Sequence, residues 1–429
     1  MKKTTFALLL LSCCPWLAAQ CPLGDVTFST QGQIDSFQIN YPGCTDIPGN
    51  VTIQGSGITN LDSLIGIATI GGDLMIGETL AWFSPKTNLF LKNLSGLDSL
   101  HTVGGSLKIF LNAALANLNG LGHLAKLGAN LEIVRNDSLA SISALGQLDT
   151  IPGSIWIGRY VGGGPGGNPQ GNNSLVNLEG LGNIQGIGQD LVIMRNSSLV
   201  NLSGLENLHS IGGGLSITHT KSMISLNGLE NLQTIGGGLH IGGPGSGWTS
   251  ITSLNGLENL QSIEGSLTFT LNYALTSLSG LDNIDPATIT EVIISNNSLL
   301  SLCNTQPICE YLENGGTAFI SGNAPGCNSV PEIEAACAVP TQEVFAGEIS
   351  VWPNPATDFL KIALPENAAA EPLAVQLFDV AGRCVRFVNP EKVGIDKSHT
   401  LNLTGFPPGV FALKVVAGER VFLGKFVKQ

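Results

Sequence analysis

Residues 199–217 read LVNLSGLENLHSIGGGLSI. Apolar residues stand at Leu199, Leu202, Leu205, Leu208, Ile211, Leu215 and Ile217. A spacing of three drifts off one helical face, and Gly204, Gly212, Gly213 and Gly214 would each cost about 1 kcal/mol inside a helix. The closing Leu-Ser-Ile alternates instead, which suits a short strand. The Gly-Gly ahead of it suits a sharp turn with positive φ. The stretch therefore predicts one coil of a solenoid, with a strand from LxI and a second short extended piece from LxxL.

The pattern LxxLxGLxxLxxIGGxLxI recurs in segments that start at Ile58, Leu91, Leu115, Leu139, Leu175, Leu199, Met223, Ile251 and Leu275. Five of the eight intervals are 24 residues, and the others are 33, 36 and 28. One unit cannot bury its apolar side alone, but stacked units form a continuous core. Nine coils at a strand spacing of about 4.8 Å predict a rod of about 43 Å. Asn follows LxI by three residues at Asn112, Asn136, Asn196, Asn272 and Asn297. An inward column of Asn carries donors and acceptors that can satisfy the turn backbone from coil to coil.

The pattern with its flanking segments, CPLGDVTFSTQGQIDSF…CTDIPGNVTIQG before and LCNTQPICEYLENG…NAPGCNSVPEIEAAC after, resembles the receptor L-domain of secreted Bacteroidetes proteins. That resemblance covers about Cys21 to Cys337. It implies an all-β fold, a leucine-rich right-handed β-solenoid of about nine coils, and it implies no particular ligand.

Composition agrees with an exported repeat protein. Of 429 residues, 43% are hydrophobic, 12% are charged and 55 are Gly. Met1–Gln20 reads as a signal peptide, with Lys2-Lys3, an apolar run from Phe6 to Leu11 and a small-residue region at Leu17-Ala18-Ala19. A lipoprotein start at Cys13 is the alternative. No later stretch reaches the roughly 18 apolar residues of a membrane span. From Cys21 to Phe345 there are 8 basic and 24 acidic residues. An acidic body without a Lys/Arg cluster excludes nucleic acid as partner.

An oxidising compartment makes the cysteines candidates for disulfides. Cys21 and Cys44 lie before the repeats, and Cys303, Cys309, Cys327 and Cys337 lie after them. Cys21–Cys44 follows by elimination, while the other four allow three pairings. Cys384 is left over. No CxxC pair exists to suggest zinc.

After a linker at 338–348 the pattern changes to alternating strand-like runs over 349–429, punctuated by Pro and Gly. These predict a β-sandwich of about 80 residues. The segment resembles the C-terminal sorting domain of the type IX secretion system. The matching residues are Pro353-Asn354-Pro355, Asp379 with Gly382-Arg383, Gly409-Val410-Phe411, and Lys425 with Val427-Lys428. The resemblance implies the type IX machinery as partner, passage across the outer membrane, removal of this domain and attachment of the rest at the cell surface.

No GxSxG, HExxH, GxxxxGK[ST] or DxDxDG motif occurs. A GxGxxG at Gly162, Gly164 and Gly167 contains Pro165 and precedes no helix, so it reads as a loop. His101 and His209 share a register four units apart and cannot share a metal. His219 and His240 lie near equivalent strand ends, where a metal pair is conceivable. Asp98, Glu206, Glu230, Glu258 and Asp282 recur at one point of the coil, which suggests a turn role or a calcium ladder. No cofactor is expected otherwise, and the chain reads as a non-enzyme.

Two surfaces could bind a ligand. The outward stripe of the strands (Met75, Lys108, Glu132, Trp156, Val192, Ser216, His240, Thr268) is chemically mixed. The three long intervals are insertions that fall just after LxI, at about Glu78–Phe90, Arg159–Ser174 and Gly243–Ser250. They carry Trp82, Phe83, Tyr160 and Trp248, and insertions on one edge of a solenoid often form its binding face. The functional expectation is a surface binding or adhesion module for protein or glycan. The alternatives are a structural envelope component and an enzyme lacking a recognised motif.

Overall fold

The computed structural model describes residues 21–78, 87–161, 168–243, 249–338, 344–363, 373–378, 384–388, 398–404, 406–417 and 420–429. The signal peptide expected at 1–20 and the GxGxxG stretch expected as a loop lie outside them. Contacts divide the chain into two units, one ending at Ala338 and one starting at Val339.

The first unit is a β-solenoid. Its main sheet has twelve parallel strands, one per coil, running from Val26–Phe28 through Leu107–Phe110, Leu191–Met194 and Leu239–Gly242 to Ala318–Ser321. The nine repeats supply the middle of this sheet, and the flanking segments extend it at both ends. The register is strict. Ile109 pairs with Ile133, Ile157 with Ile193, Ile193 with Ile217 and Ile217 with Ile241. Each of these Ile residues is fully buried, as are Leu199, Leu202, Leu205 and Leu208. Period-two alternation in LxI and period-three spacing elsewhere thus point every Leu and Ile at one continuous core.

Two local expectations need correction. The second column of short strands comes from the residue pair before Gly-Gly, such as Thr69–Ile70, Ser210–Ile211 and Thr234–Ile235. The LxxL segment contributes only isolated bridges, Asn117 with Ser141 and Ser277 with Leu302. The Gly-Gly pair is also not a positive-φ turn. A Cβ on Gly212 would press on the carbonyl oxygen of Gly188 in the coil below, so this position is Gly because backbones stack too closely for a side chain. Positive φ belongs to the Gly of LxGL, for example Gly204 at +108°.

The acidic residue after that Gly has the turn role. Carboxylates of Asp98, Glu206, Glu230, Glu258 and Asp282 accept from the N–H of Gly96, Gly204, Gly228, Gly256 and Gly280. The Asn column is longer than its sequence signature. Asn88, Asn112, Asn136, Asn172 and Asn196 form one hydrogen-bonded run, each side-chain oxygen accepting from the Asn before it. A second run joins Thr249, Asn272, Asn297 and Asn323. Asn88 and Asn172 escape the spacing rule because insertions separate them from their strands.

Both ends of the solenoid are closed covalently. Cys21–Cys44 pins the entry, and Cys303–Cys327 with Cys309–Cys337 pins the exit helices Gln306–Glu313 and Val330–Ala338. One of the three open pairings is thereby selected.

The second unit has a five-stranded sheet and a three-stranded sheet around Leu360, Ile362, Leu377, Leu401, Leu413 and Phe422. Val344–Glu348, within the stretch expected as linker, is a strand that pairs parallel with Arg420–Lys428.

Candidate functional site

The site is built from the point at which the chain leaves the coil. In a regular coil the residue after the strand takes positive φ without being Gly: Leu111, Arg135, Arg195, His219, Leu271 and Asn296 lie between 51° and 60°. Such a residue is strained, and stacking holds it there. In the three coils that carry insertions, positive φ comes one residue earlier and always at Gly: Gly77 at 101°, Gly158 at 89° and Gly242 at 99°. A Cβ on Gly77 would overlap the carbonyl oxygen of Phe110 in the next coil. The Gly after LxI is therefore what releases the chain from the stack. The chain returns at buried Asn88, Asn172 and Thr249. Every insertion thus starts and ends at the same two positions of its coil.

The strands Leu74–Gly77, Ile155–Ile157 and Leu239–Gly242 that precede the insertions are third neighbours in the sheet. At about 4.8 Å per strand, the insertions recur along one edge every 14 Å or so.

The second insertion opens as an antiparallel pair, Arg159–Val161 against Asn168–Gln170, with Tyr160 opposite Pro169. Its base is tied to the outward face of the main sheet. The Arg159 guanidinium donates to Glu132 at 2.8 Å and lies over the rings of Phe110 and Trp156, at 5.5 and 5.6 Å from their centroids. Lys108 pairs with Asp73 at 2.5 Å. Four charges of alternating sign, Asp73, Lys108, Glu132 and Arg159, therefore cross adjacent coils. Glu132 is buried, and desolvation pushes its carboxyl above the usual carboxylate range despite Arg159. Burial also lowers the imidazoles of His219 and His240.

Large apolar side chains are exposed on the turn that follows the insertion point. Leu89 and Tyr273 occupy one position of that turn at 43% and 45% exposure, and Phe90 and Leu299 the next at 58% and 56%.

Of the residues expected to bind, Trp82, Phe83 and Trp248 lie outside the described residues. Tyr160 falls in the paired strand at the base of the second insertion. Sequence reasoning missed Arg159 as the anchor of that insertion, although Gly158 after Ile-Trp-Ile marks where it begins. Among the described residues, no three His, Cys, Asp or Glu side chains are grouped to hold a metal, and no helix is long and apolar enough to cross a membrane.

In the second unit, the motif residues Asn354 and Lys425 meet. The Asn354 side chain accepts from the N–H of Val427 at 2.9 Å and donates to the carbonyl of Lys425 at 3.3 Å. Pro353 and Pro355 flank it in the chain, and Gly409 pairs with Lys428. Gly382 and Arg383 lie outside the described residues.

Residues 209–314 match the family model of the Receptor L domain. Residues 350–429 match that of the Secretion system C-terminal sorting domain. No curated protein matches the chain. The chain thus joins receptor L-domain repeats to a type IX sorting tail, and such a tail marks a protein for export to the cell surface.

Proposed function

We propose that the solenoid is a binding module, displayed outside the cell, whose ligand contacts lie on the edge carrying the three insertions. It works without catalysis. The ligand is a protein or glycan of the surroundings. After export the sorting tail is removed and the solenoid stays attached at the outer-membrane surface.

One observation carries this reading. The chain leaves the stack at the same point in three coils, and the turn beside that point exposes Leu89, Phe90, Tyr273 and Leu299. Leu89 with Phe90 and Tyr273 with Leu299 form two groups seven coils apart along this edge, and exposed apolar groups on an otherwise polar, acidic protein are common binding anchors. Trp82, Phe83, Tyr160 and Trp248 add aromatic side chains to the same edge in the sequence.

The test uses the full mature chain and its Trp82→Ala/Tyr160→Ala/Trp248→Ala variant, both on a glycan array and a panel of matrix proteins. Binding that falls at least tenfold in the variant, with an unchanged circular dichroism spectrum, supports the edge. Undiminished binding refutes it. If the wild type binds nothing on either panel, a structural role in the envelope replaces the binding role. Deletion of Ala346–Gln429 separately tests export: the truncated chain should accumulate in the periplasm, and normal surface display would refute the sorting assignment.

A further inference from the structure

Two columns of side-chain hydrogen bonds run along the solenoid, one at each end of the main strands. The exit column is the Asn run described above. The entry column uses the residue just before each strand, whose side chain accepts from the N–H of its counterpart in the next coil. It passes from Asp25 to Asn50, Asp73, Ser106, Asn130, Ser154, Asp190 and Gly214.

Both columns stop in the same place. Gly214 has no side chain to carry the entry column on, and Gly238 follows it in the next coil. In the exit column the two positions after Asn196 are Thr220 and Thr249. The hydroxyls of Thr218 and Thr220 are buried without a hydrogen-bond partner among the described residues. An Asn at position 249 would accept from the N–H of Thr220 and donate to the carbonyl of Ile217, as Asn172 does for Asn136 and Ile133. The interface below Leu215–Thr218 keeps the entry column, through Gly214 and Asp190. The interface above Leu239–Gly242 keeps the exit column, through Thr249 and Asn272. Between these two strands neither column crosses, and among the described residues no other coil interface lacks both.

We infer that the interface between Leu215–Thr218 and Leu239–Gly242 is a seam, where the solenoid opens before it opens elsewhere. The stability of a stacked repeat is close to a sum of nearest-neighbour terms, so the interface with the fewest bonds opens first. What remains at the seam recurs at the neighbouring interfaces. The backbone pairs Leu215 with Leu239 and Ile217 with Ile241, and Asn231 donates to the carbonyl of Glu206. The receptor L-domain match begins at residue 209, in the coil that leads into the seam. The third insertion leaves the stack from the seam strand Leu239–Gly242, so opening there would move that insertion relative to the first two.

Hydrogen exchange on the full chain, resolved by peptide and corrected for intrinsic rates, tests this. Amides of 215–218 and 239–242 should exchange at least tenfold faster than those of 131–134 and 292–295. Thr249→Asn should slow exchange at the seam by tenfold or more and leave 131–134 unchanged. Asn136→Thr, which copies the seam residue into the middle of the exit column, should speed exchange at 131–134. Equal protection of all four segments in the wild type overturns the seam. So does a Thr249→Asn variant that folds with unchanged seam exchange.

Discussion

Asn136 is the residue through which the exit column can be weighed. Its side chain is fully buried. Its Oδ1 accepts from the backbone N–H of Asn112 at 3.1 Å and from Asn112 Nδ2 at 2.9 Å. Its Nδ2 donates to the carbonyls of Ile109 at 2.8 Å and Val134 at 3.3 Å and to Asn172 Oδ1 at 3.2 Å. Asn136→Ala removes all five bonds. Asn112 Nδ2 keeps the carbonyls of Ile76 and Phe110, but the Asn112 N–H loses its acceptor. One orphaned buried donor costs about 1–3 kcal/mol, and the two lost donations that join coils, to Ile109 and Asn172, add about 1 kcal/mol each. The sum, about 3–5 kcal/mol, is a large share of the roughly 5–15 kcal/mol that holds a typical domain. Urea unfolding of the full chain, followed by circular dichroism, measures the loss. A decrease below about 1 kcal/mol would show that the column does not stabilise the stack.

Gly77→Ala should destabilise by at least about 2 kcal/mol, from positive φ and overlap with the Phe110 carbonyl. Gly122→Ala, whose Cβ meets open space, should change stability by less than about 0.5 kcal/mol in the same denaturation assay. Glu132 has a native pKa raised above the ordinary 4.5, so ionising it costs the folded state. Wild-type stability relative to Glu132→Gln should therefore fall as pH rises from 4.5 through that raised value, and melting curves at pH 4 and pH 8 read the difference. A pH-independent difference would contradict burial as the cause. Asp73, Lys108 and Arg159 are the charges facing this carboxyl, and they stay in place in both proteins. A peptide map without reduction should recover Cys303 joined to Cys327 and Cys309 joined to Cys337. Each bridge closes a loop of 24 or 28 residues and contributes about 3–4 kcal/mol.

The coil was legible because its apolar residues have two periods that only a stacked turn reconciles. Leu199 to Leu208 repeat by three, and Leu215 to Ile217 by two. The insertion edge was legible from interval lengths alone. The reason for each Gly was not. Gly212 is small because Gly188 lies beneath it, which a single coil cannot reveal. The entry column was hidden because Asp73, Ser106, Asn130 and Ser154 look like unrelated polar residues until the coils are superposed. The anchoring of Arg159 to Glu132 crosses 27 residues and one coil, a contact that needs the register. The second strand column was misplaced because LxxL and LxxI carry the same apolar spacing, and only the latter precedes the close-packed Gly pair.

Recognition on the insertion edge is tested by a hydrogen-exchange footprint of the full chain bound to the strongest partner from the glycan and matrix panels. New protection is expected in peptides covering 77–90, 158–174 and 242–250. Protection confined to the LxGL turns around Gly96, Gly204 and Gly228, or to the C-terminal sandwich, would contradict it.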